Sequence, residues 1–182
     1  MIFFFYFHQS DKHTPMKKFD YKTLYPYVTA VLVFLVITLI YFSPLIDGKQ
    51  IQQSDIMQFT GMSKEIVDFR EETNTEPLWT NSMFGGMPAY QISVVYKGNL
   101  LGYFDKILSL GLPHPSNIVF LYFIGFFILL MVLKVDPWLA IAGAIAFALS
   151  SYFFIIIDVG HNSKAHAIAY IAPVLAGIIL TL

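Results

Sequence analysis

The sequence predicts an all-α integral membrane protein: a multi-span helical bundle with a long outer loop that carries amphipathic or interfacial helices after the first span. Three observations support this prediction. Of the 182 residues, 57% are hydrophobic and only 13% are charged, whereas soluble domains usually carry about 25% charged residues. The mean hydropathy is +0.64. The apolar residues also gather into separate segments that approach the length of a membrane span.

A helix needs about 20 mainly apolar residues to cross roughly 30 Å of hydrocarbon. Four segments approach this length, and the third is rich in alanine and glycine, which suit close helix packing in lipid. Since the fourth segment reaches Leu182 with no charged flank, we expect the chain to be the N-terminal part of a longer protein. The spans are predicted at 27–45, 116–134, 138–157 and 165–182.

The lysines before the first span predict its orientation. Lys12, Lys17, Lys18 and Lys22 lie in the tail 1–26, and the positive-inside rule places such a tail in the cytoplasm. The loop 46–115, with five basic residues against eight acids, then lies outside. After two more crossings the short loop 158–164 returns to the outer face. The two polar loops are therefore predicted to face the same side.

The first fifteen residues are interpreted separately. Their apolar run, Ile2–Phe7, is too short for a span and has no basic region before it, so it does not fit a signal peptide. Met16 is the more natural start, and residues 1–15 are interpreted as a possible mis-assigned extension.

The outer loop contains a predicted amphipathic helix at about 55–72, because apolar residues recur there at steps of three and four. A second short interfacial helix is predicted at 103–110. Between them, the segment from Trp79 to Tyr90 mixes aromatics, hydroxyls and glycines with neither helix nor strand period. Interfacial packing is the favoured interpretation of its aromatic rings, and a platform for a sugar is the alternative.

Asp55 is the first candidate for chemistry. An outer-face carboxylate beside Gln52 and Gln53 suits a general base for an acceptor hydroxyl, or a ligand of a divalent cation. The alternative is structural, because Asp55 and Gln58 have the spacing of a capping box at a helix start.

The second candidate cluster lies at 158–166 and includes His161, Asn162 and Lys164. If a helix starts near Ser163, its free N–H groups and Lys164 would favour a phosphate or another anion. The alternative is an ordinary polar loop whose lysine reaches the headgroups. With no cysteine in the chain, a thiolate zinc site is excluded. No basic stripe indicates nucleic acid, and the sequence names no cofactor.

Several runs of the chain, within about 17–182, resemble the YfhO-like family of bacterial multi-pass membrane proteins, in its Bacteroidetes-type branch. The resemblance implies a GT-C-like fold and a longer protein that transfers sugars from polyprenyl-phosphate donors outside the bacterial cytoplasmic membrane. The runs are LIDGK (45–49), QSDIMQF (53–59), EPLWTNSMFGGMP (76–88), VDPW (135–138) and GHNSKAH (160–166).

The resemblance also implies roles. By its location after the first span, Asp55 matches the acidic position of that class and is the expected catalytic residue. Lys164, helped by His161, is expected to neutralise the donor phosphate, with Asn162 and Gln53 as further substrate-binding residues. The next acid after Asp55 is Glu65, so a tight acidic pair for a metal is missing and no metal ligand is assigned.

The expected partners are the lipid bilayer, a polyprenyl-phosphate-linked sugar and an envelope polymer as acceptor. The alternative function is a non-enzymatic membrane protein, such as a transporter, a flippase of lipid-linked intermediates or an assembly scaffold. A transporter should carry ionisable or broken-helix features inside its spans. The first three predicted spans have no charged residue in their interiors.

Overall fold

The computed structural model describes residues 24–96 and 98–182, most of which are helical. Residues 1–23, which include most of the predicted cytoplasmic tail and both candidate start positions, lie outside the described residues. Two short antiparallel strands pair Trp79 with Pro88 and Thr80 with Met87. In chain order the elements are α1 (Tyr25–Tyr41), α2 (Ser43–Ile46), α3 (Ser54–Thr73), β1 (Trp79–Thr80), β2 (Met87–Pro88), α4 (Leu101–Leu108), α5 (Ser116–Val132), α6 (Pro137–Ala148), α7 (Ser151–Val159) and α8 (Asn162–Thr181).

Helix α5 lies at the centre of the bundle and packs against α8, α6 and α1. Its sequence is apolar on every side, the pattern expected of a fully surrounded helix. On the α1 side, Phe34 stacks on Phe123 with ring centroids 5.1 Å apart. On the α8 side, the Tyr122 hydroxyl donates a 2.9 Å hydrogen bond to the Ala165 carbonyl. Small residues of α6, such as Ala140 and Ala144, are fully buried.

Helices α5 and α8 approach each other most closely at Gly125. A Cβ at this position would lie 2.9 Å from the Ala169 carbonyl oxygen and 3.0 Å from Pro173 Cδ and Cγ. Pro173 has no N–H to donate to the carbonyl four residues before it, which is Ala169. The face of α8 at its proline therefore fits only a glycine on α5.

We expect Gly125→Ala to loosen the α5–α8 contact, because backbone atoms of α8 would have to shift. Overpacking of this kind typically costs about 1–3 kcal/mol, and thermal unfolding of the purified protein in detergent measures it. Gly177→Ala is the matched control, since no atom lies within 4 Å of a Cβ at that helical glycine. An unchanged unfolding temperature for Gly125→Ala would contradict this account of the packing.

The described residues are mostly helical, as predicted, and each predicted span overlaps described helices. Among residues 24–96 and 98–182, α8 alone is a continuous helix long and apolar enough to cross a membrane, and α6 with α7 qualifies as a second if the bent pair counts as one span. Helices α1 and α5 are apolar but have 17 residues each.

The segment predicted as one continuous third span is two helices. Helices α6 and α7 meet at a 43° bend, because α6 ends at Ala148 and Ser150 has extended backbone, with φ −59° and ψ 131°. Serine at this position starts α7 rather than continuing α6. Averaged over the length of a span, hydropathy does not reveal the bend, since only two serines, at 150–151, interrupt the apolar run.

The outer-loop prediction agrees with the structure at α3, which covers Ser54–Thr73. The segment after α3 differs from the prediction, because it forms the β1–β2 pair. Glu65 on α3 holds this segment: its carboxylate accepts hydrogen bonds from the Thr80 hydroxyl at 2.7 Å and the Asn81 N–H at 3.0 Å. Thr80 is fully buried. One acidic side chain thus fastens the hairpin to the helix.

This attachment is expected to weaken in acid. The hydrogen bond from Thr80 lowers the pKa of Glu65 from its ordinary value of 4.5. A pKa that is lower in the folded protein adds stability above the unfolded value and loses it as pH falls. Between neutral pH and pH below about 4, Trp79 emission should therefore report release of the hairpin in a Trp138→Phe background. In Glu65→Gln this acid transition should be missing; a transition that persists there would contradict the attachment.

Candidate functional site

The turn between α7 and α8 brings the start of α3 against the start of α8. Gly160, in this turn, is buried and has φ +106°, a conformation that favours glycine. A Cβ on Gly160 would lie 3.1 Å from Asp55 Cβ and 3.2 Å from Gln53 Cβ. The absence of a side chain at Gly160 therefore lets the predicted residues of the two loops meet, although they are about a hundred positions apart.

Gln53 and Asn162 form a reciprocal amide pair. Gln53 Nε2 donates to Asn162 Oδ1 at 3.0 Å, and Asn162 Nδ2 donates to Gln53 Oε1 at 3.0 Å. Gln53 Nε2 also donates to the Ile157 carbonyl, and the Ser54 hydroxyl donates to the Val159 carbonyl at 3.3 Å. Gln53 is only 7% exposed. The structure therefore brings together the predicted residues Gln53 and Asn162, and their hydrogen bonds hold the segment before α3 against the turn before α8.

Asp55 and His161 form the solvent-facing part of this contact. Asp55 Oδ2 lies 3.3 Å from His161 Nε2, and the two side chains are 43% and 46% exposed. Gln53 is the N-cap residue of α3, with no side-chain cap hydrogen bond, so Asp55 lies in the first turn and the capping box with Gln58 is not formed. A carboxylate in the first turn is favoured by the helix dipole. Asp55 is thus fixed in the first turn of α3, paired with His161 and accessible to solvent.

Lys164 is not brought into this contact. Its ammonium lies over the ring of Tyr152, 5.3 Å from the centroid, and its side chain is exposed. A lysine on a flexible stem reaches several positions from one backbone site. The structure thus places Lys164 on the first turn of α8 but facing α7, away from Asp55.

Sequence reasoning missed Asp105 and Tyr170. Asp105 Oδ1, on α4, lies 2.6 Å from His166 Nε2 and accepts a 2.7 Å hydrogen bond from the Tyr170 hydroxyl. The His166 and Tyr170 rings are stacked, 5.6 Å apart. Asn162, His166 and Tyr170 recur at steps of four, so they share one face of an otherwise apolar helix. This polar stripe on α8 was the feature of the sequence that could have identified Tyr170 as a site residue.

His114 joins the two groups of residues. It lies in the loop before α5, where burial lowers its pKa and the neighbouring His166 lowers it further. The neighbouring Asn162 and Asn117 side chains raise the His114 pKa and offset part of this effect. A neutral imidazole can both donate and accept a hydrogen bond. We call the connected set the polar array; it consists of Gln53, Asp55, Asp105, His114, His161, Asn162, His166 and Tyr170.

The polar array can move a proton and bind hydroxyl or phosphate groups. Asp55 is the accessible acceptor, and His161 is within reach to orient it. In the part of the chain that the structure describes, no group of three or more His, Asp or Glu side chains is placed to hold a metal ion.

The array lies at one end of the apolar helices. Comparison of the chain with protein-family models, curated proteins and solved structures finds no match.

Proposed function

We propose that the protein is a membrane glycosyltransferase that moves a sugar from a polyprenyl-phosphate donor to an envelope acceptor on the outer face. The observation that carries the proposal is the contact between Asp55 and His161, 3.3 Å apart, at the end of the apolar bundle. The resemblance of the runs around these residues to the YfhO-like family supports the choice of reaction.

A multi-span arrangement in the bacterial cytoplasmic membrane is part of the proposal. Large apolar side chains are exposed along the bundle, including Ile40, Ile155, Ile171, Val174 and Ile178, each more than half exposed. Soluble monomers rarely expose continuous apolar patches above a few hundred Å². Lipid would cover these side chains, and helices α1, α5 and α8 with the bent pair α6–α7 would serve as the four spans. The polar array then lies at the outer face.

In this reaction the acceptor hydroxyl attacks the anomeric carbon of the donor sugar. The bond from that carbon to the phosphate oxygen breaks, and the polyprenyl phosphate leaves with the bonding electrons. Asp55 accepts the hydroxyl proton, and His161 holds the Asp55 carboxylate in position. Lys164, on the first turn of α8, leaves the Tyr152 ring on its flexible stem and neutralises the departing phosphate together with the N–H groups of that turn. Gln53 and Asn162 keep the two loops in contact.

The proposal is tested by mass analysis of envelope glycans and lipid-linked sugars in cells with and without the gene. Loss of the gene should remove one sugar from an envelope polymer and leave the lipid-linked donor unused. If both the glycans and the lipid-linked sugars are unchanged, the protein is not this enzyme.

A non-enzymatic transporter or flippase of lipid-linked intermediates is the second candidate. The 43° bend between α6 and α7 favours it, because transporters build their binding sites at broken spans. If the protein is a flippase, loss of the gene would trap the lipid-linked sugar in the inner leaflet. The purified protein would then transfer no sugar in vitro, with or without Asp55→Asn. Donor sidedness and transfer by purified protein therefore separate the two candidates.

A further inference from the structure

A pocket lies beside α3, away from the polar array. Its volume is about 540 Å³, and its lining includes Glu65, Glu76, Trp79 and Asn81, with Phe69 and Leu78. We propose that this pocket binds a neutral saccharide, with the Trp79 indole as the stacking surface. The proposal rests on the proposed function only in identifying this saccharide as the acceptor; the binding itself is independent of transfer.

Trp79 is held as a flat, accessible platform. A Cβ on Gly86 would lie 2.6 Å from Trp79 Nε1, 3.0 Å from Cε2 and 2.9 Å from Cζ2. Cε2 lies between Nε1 and Cζ2 in the ring but is farther from this Cβ than either of them, so Gly86 lies against the edge of the indole. Trp79 is nevertheless 56% exposed and lines the pocket, whereas Gly86 does not. The glycine lets the ring edge approach the backbone and covers neither face, so a face of the ring is left for a ligand.

The polar groups around the indole suit sugar hydroxyls. A sugar ring presents C–H groups on its faces and hydroxyls at its rim, so it needs an aromatic surface bordered by planar hydrogen-bonding groups. Here the Glu65 carboxylate is fixed by Thr80 and by the Asn81 N–H. The Glu76 carboxylate is fixed by two hydrogen bonds from Arg70, at 2.9 and 2.8 Å. These groups are in place before a ligand arrives, which lowers the entropy cost of binding.

The charges favour a neutral ligand. Arg70 compensates Glu76, and the hydrogen bond from Thr80 lowers the pKa of Glu65, which keeps its carboxylate ionised at neutral pH. Among residues 24–96 and 98–182, Glu65 has no ion-pair partner, so its negative charge faces the pocket and repels phosphate-bearing or uronic sugars. It also repels an anionic lipid surface. Phe84, which is 90% exposed and outside the pocket lining, is better suited than Trp79 to membrane contact.

Binding is measured on the full-length protein in detergent, by saturation-transfer NMR to the sugar protons of maltotriose, cellotriose, mannotriose and chitotriose. Trp79 emission in a Trp138→Phe background gives a second readout. We expect saturable binding of at least one trisaccharide with a Kd of roughly 1 mM, about −4 kcal/mol. A tri-galacturonate should bind at least tenfold more weakly than the best neutral sugar.

Two glycine variants form the matched pair. Gly86→Ala should lose saccharide binding, because its Cβ displaces the indole. Gly85→Ala should keep it, since Gly85 has a similar positive φ of +74° but no atom within 4 Å of a built Cβ. Trp79→Leu should lose binding without a change in the unfolding temperature.

The proposal is overturned if none of the four neutral trisaccharides binds to folded protein, or if Gly86→Ala and Trp79→Leu bind them as well as the unmodified protein does. It is also overturned if brominated lipids in nanodiscs quench Trp79 and saccharides leave its emission unchanged, since Trp79 would then be a membrane anchor. If the unmodified protein binds a neutral saccharide but transfers no sugar, only the proposed function is contradicted.

Discussion

Replacing Asp55 by asparagine in the full-length protein is expected to abolish sugar transfer and leave membrane insertion intact. Asparagine keeps the size and the hydrogen-bonding shape of the side chain, but it cannot accept the hydroxyl proton. Loss of a general base typically lowers the rate about 10²–10⁴-fold. The measurement is transfer from a polyprenyl-phosphate sugar by purified protein, with membrane-fraction yield as the readout of insertion.

Asp68→Asn is the control for Asp55→Asn. Asp68 lies on the same helix, is half-exposed and pairs with Lys64 at 2.7 Å, an exposed pair of a kind that contributes little to stability. Its replacement should leave transfer unchanged. Wild-type transfer by Asp55→Asn would remove Asp55 from the mechanism.

Gly160→Ala is expected to damage the site as severely as loss of Asp55, although no chemical group is removed. An alanine there would hold φ at +106° against its preference and bring its Cβ to 3.1 Å from Asp55 Cβ. Strained backbone of this kind costs about 1–3 kcal/mol. A backbone shift that relieves this strain would move the start of α3 away from α8, so the Asp55–His161 contact would be lost.

Transfer activity and thermal unfolding in detergent measure the effect of Gly160→Ala. Gly61→Ala is the control: unlike Gly160, Gly61 has no atom within 4 Å of a built Cβ and lies inside α3, so its replacement should raise helix stability by up to about 1 kcal/mol. A Gly160→Ala protein with full activity would mean that the contact between the loops is not needed for transfer.

The helices could be predicted from the sequence because each one corresponds to a local pattern of apolar residues. Continuous apolar runs predict α1, α5 and α8, and steps of three and four predict α3. The bend before α7 is different. It depends on the backbone of Ser150, and the two serines at 150–151 interrupt the apolar run too briefly to divide a segment of span length.

The candidate site was predicted in part. Gln53, Asp55, His161 and Asn162 were predicted to lie on one side from the charges and the order of the apolar segments, and the structure brings these four residues together. Asp105 could not, since nothing local to α4 indicates that it packs on α8. Lys164 was expected beside Asp55 and His161, but in the structure its ammonium lies over the Tyr152 ring, a position that depends on how α7 packs beside α8.

The central claim is that the start of α3 and the start of α8 form one site on the outer face. The chain has no cysteine, so Ser54→Cys with Val159→Cys gives a clean pair of thiols. The Ser54 hydroxyl donates to the Val159 carbonyl in the structure, and this pair of variants keeps the Gln53–Asn162 contact. A short, membrane-impermeant bifunctional thiol reagent is added to intact cells, and trypsin and mass spectrometry follow. The account predicts that the peptides 50–64 and 135–164 are joined, and that Ser54→Cys with Lys134→Cys gives no joined peptides. No joined peptide in the first pair, or joining only by a membrane-permeant reagent, would contradict it.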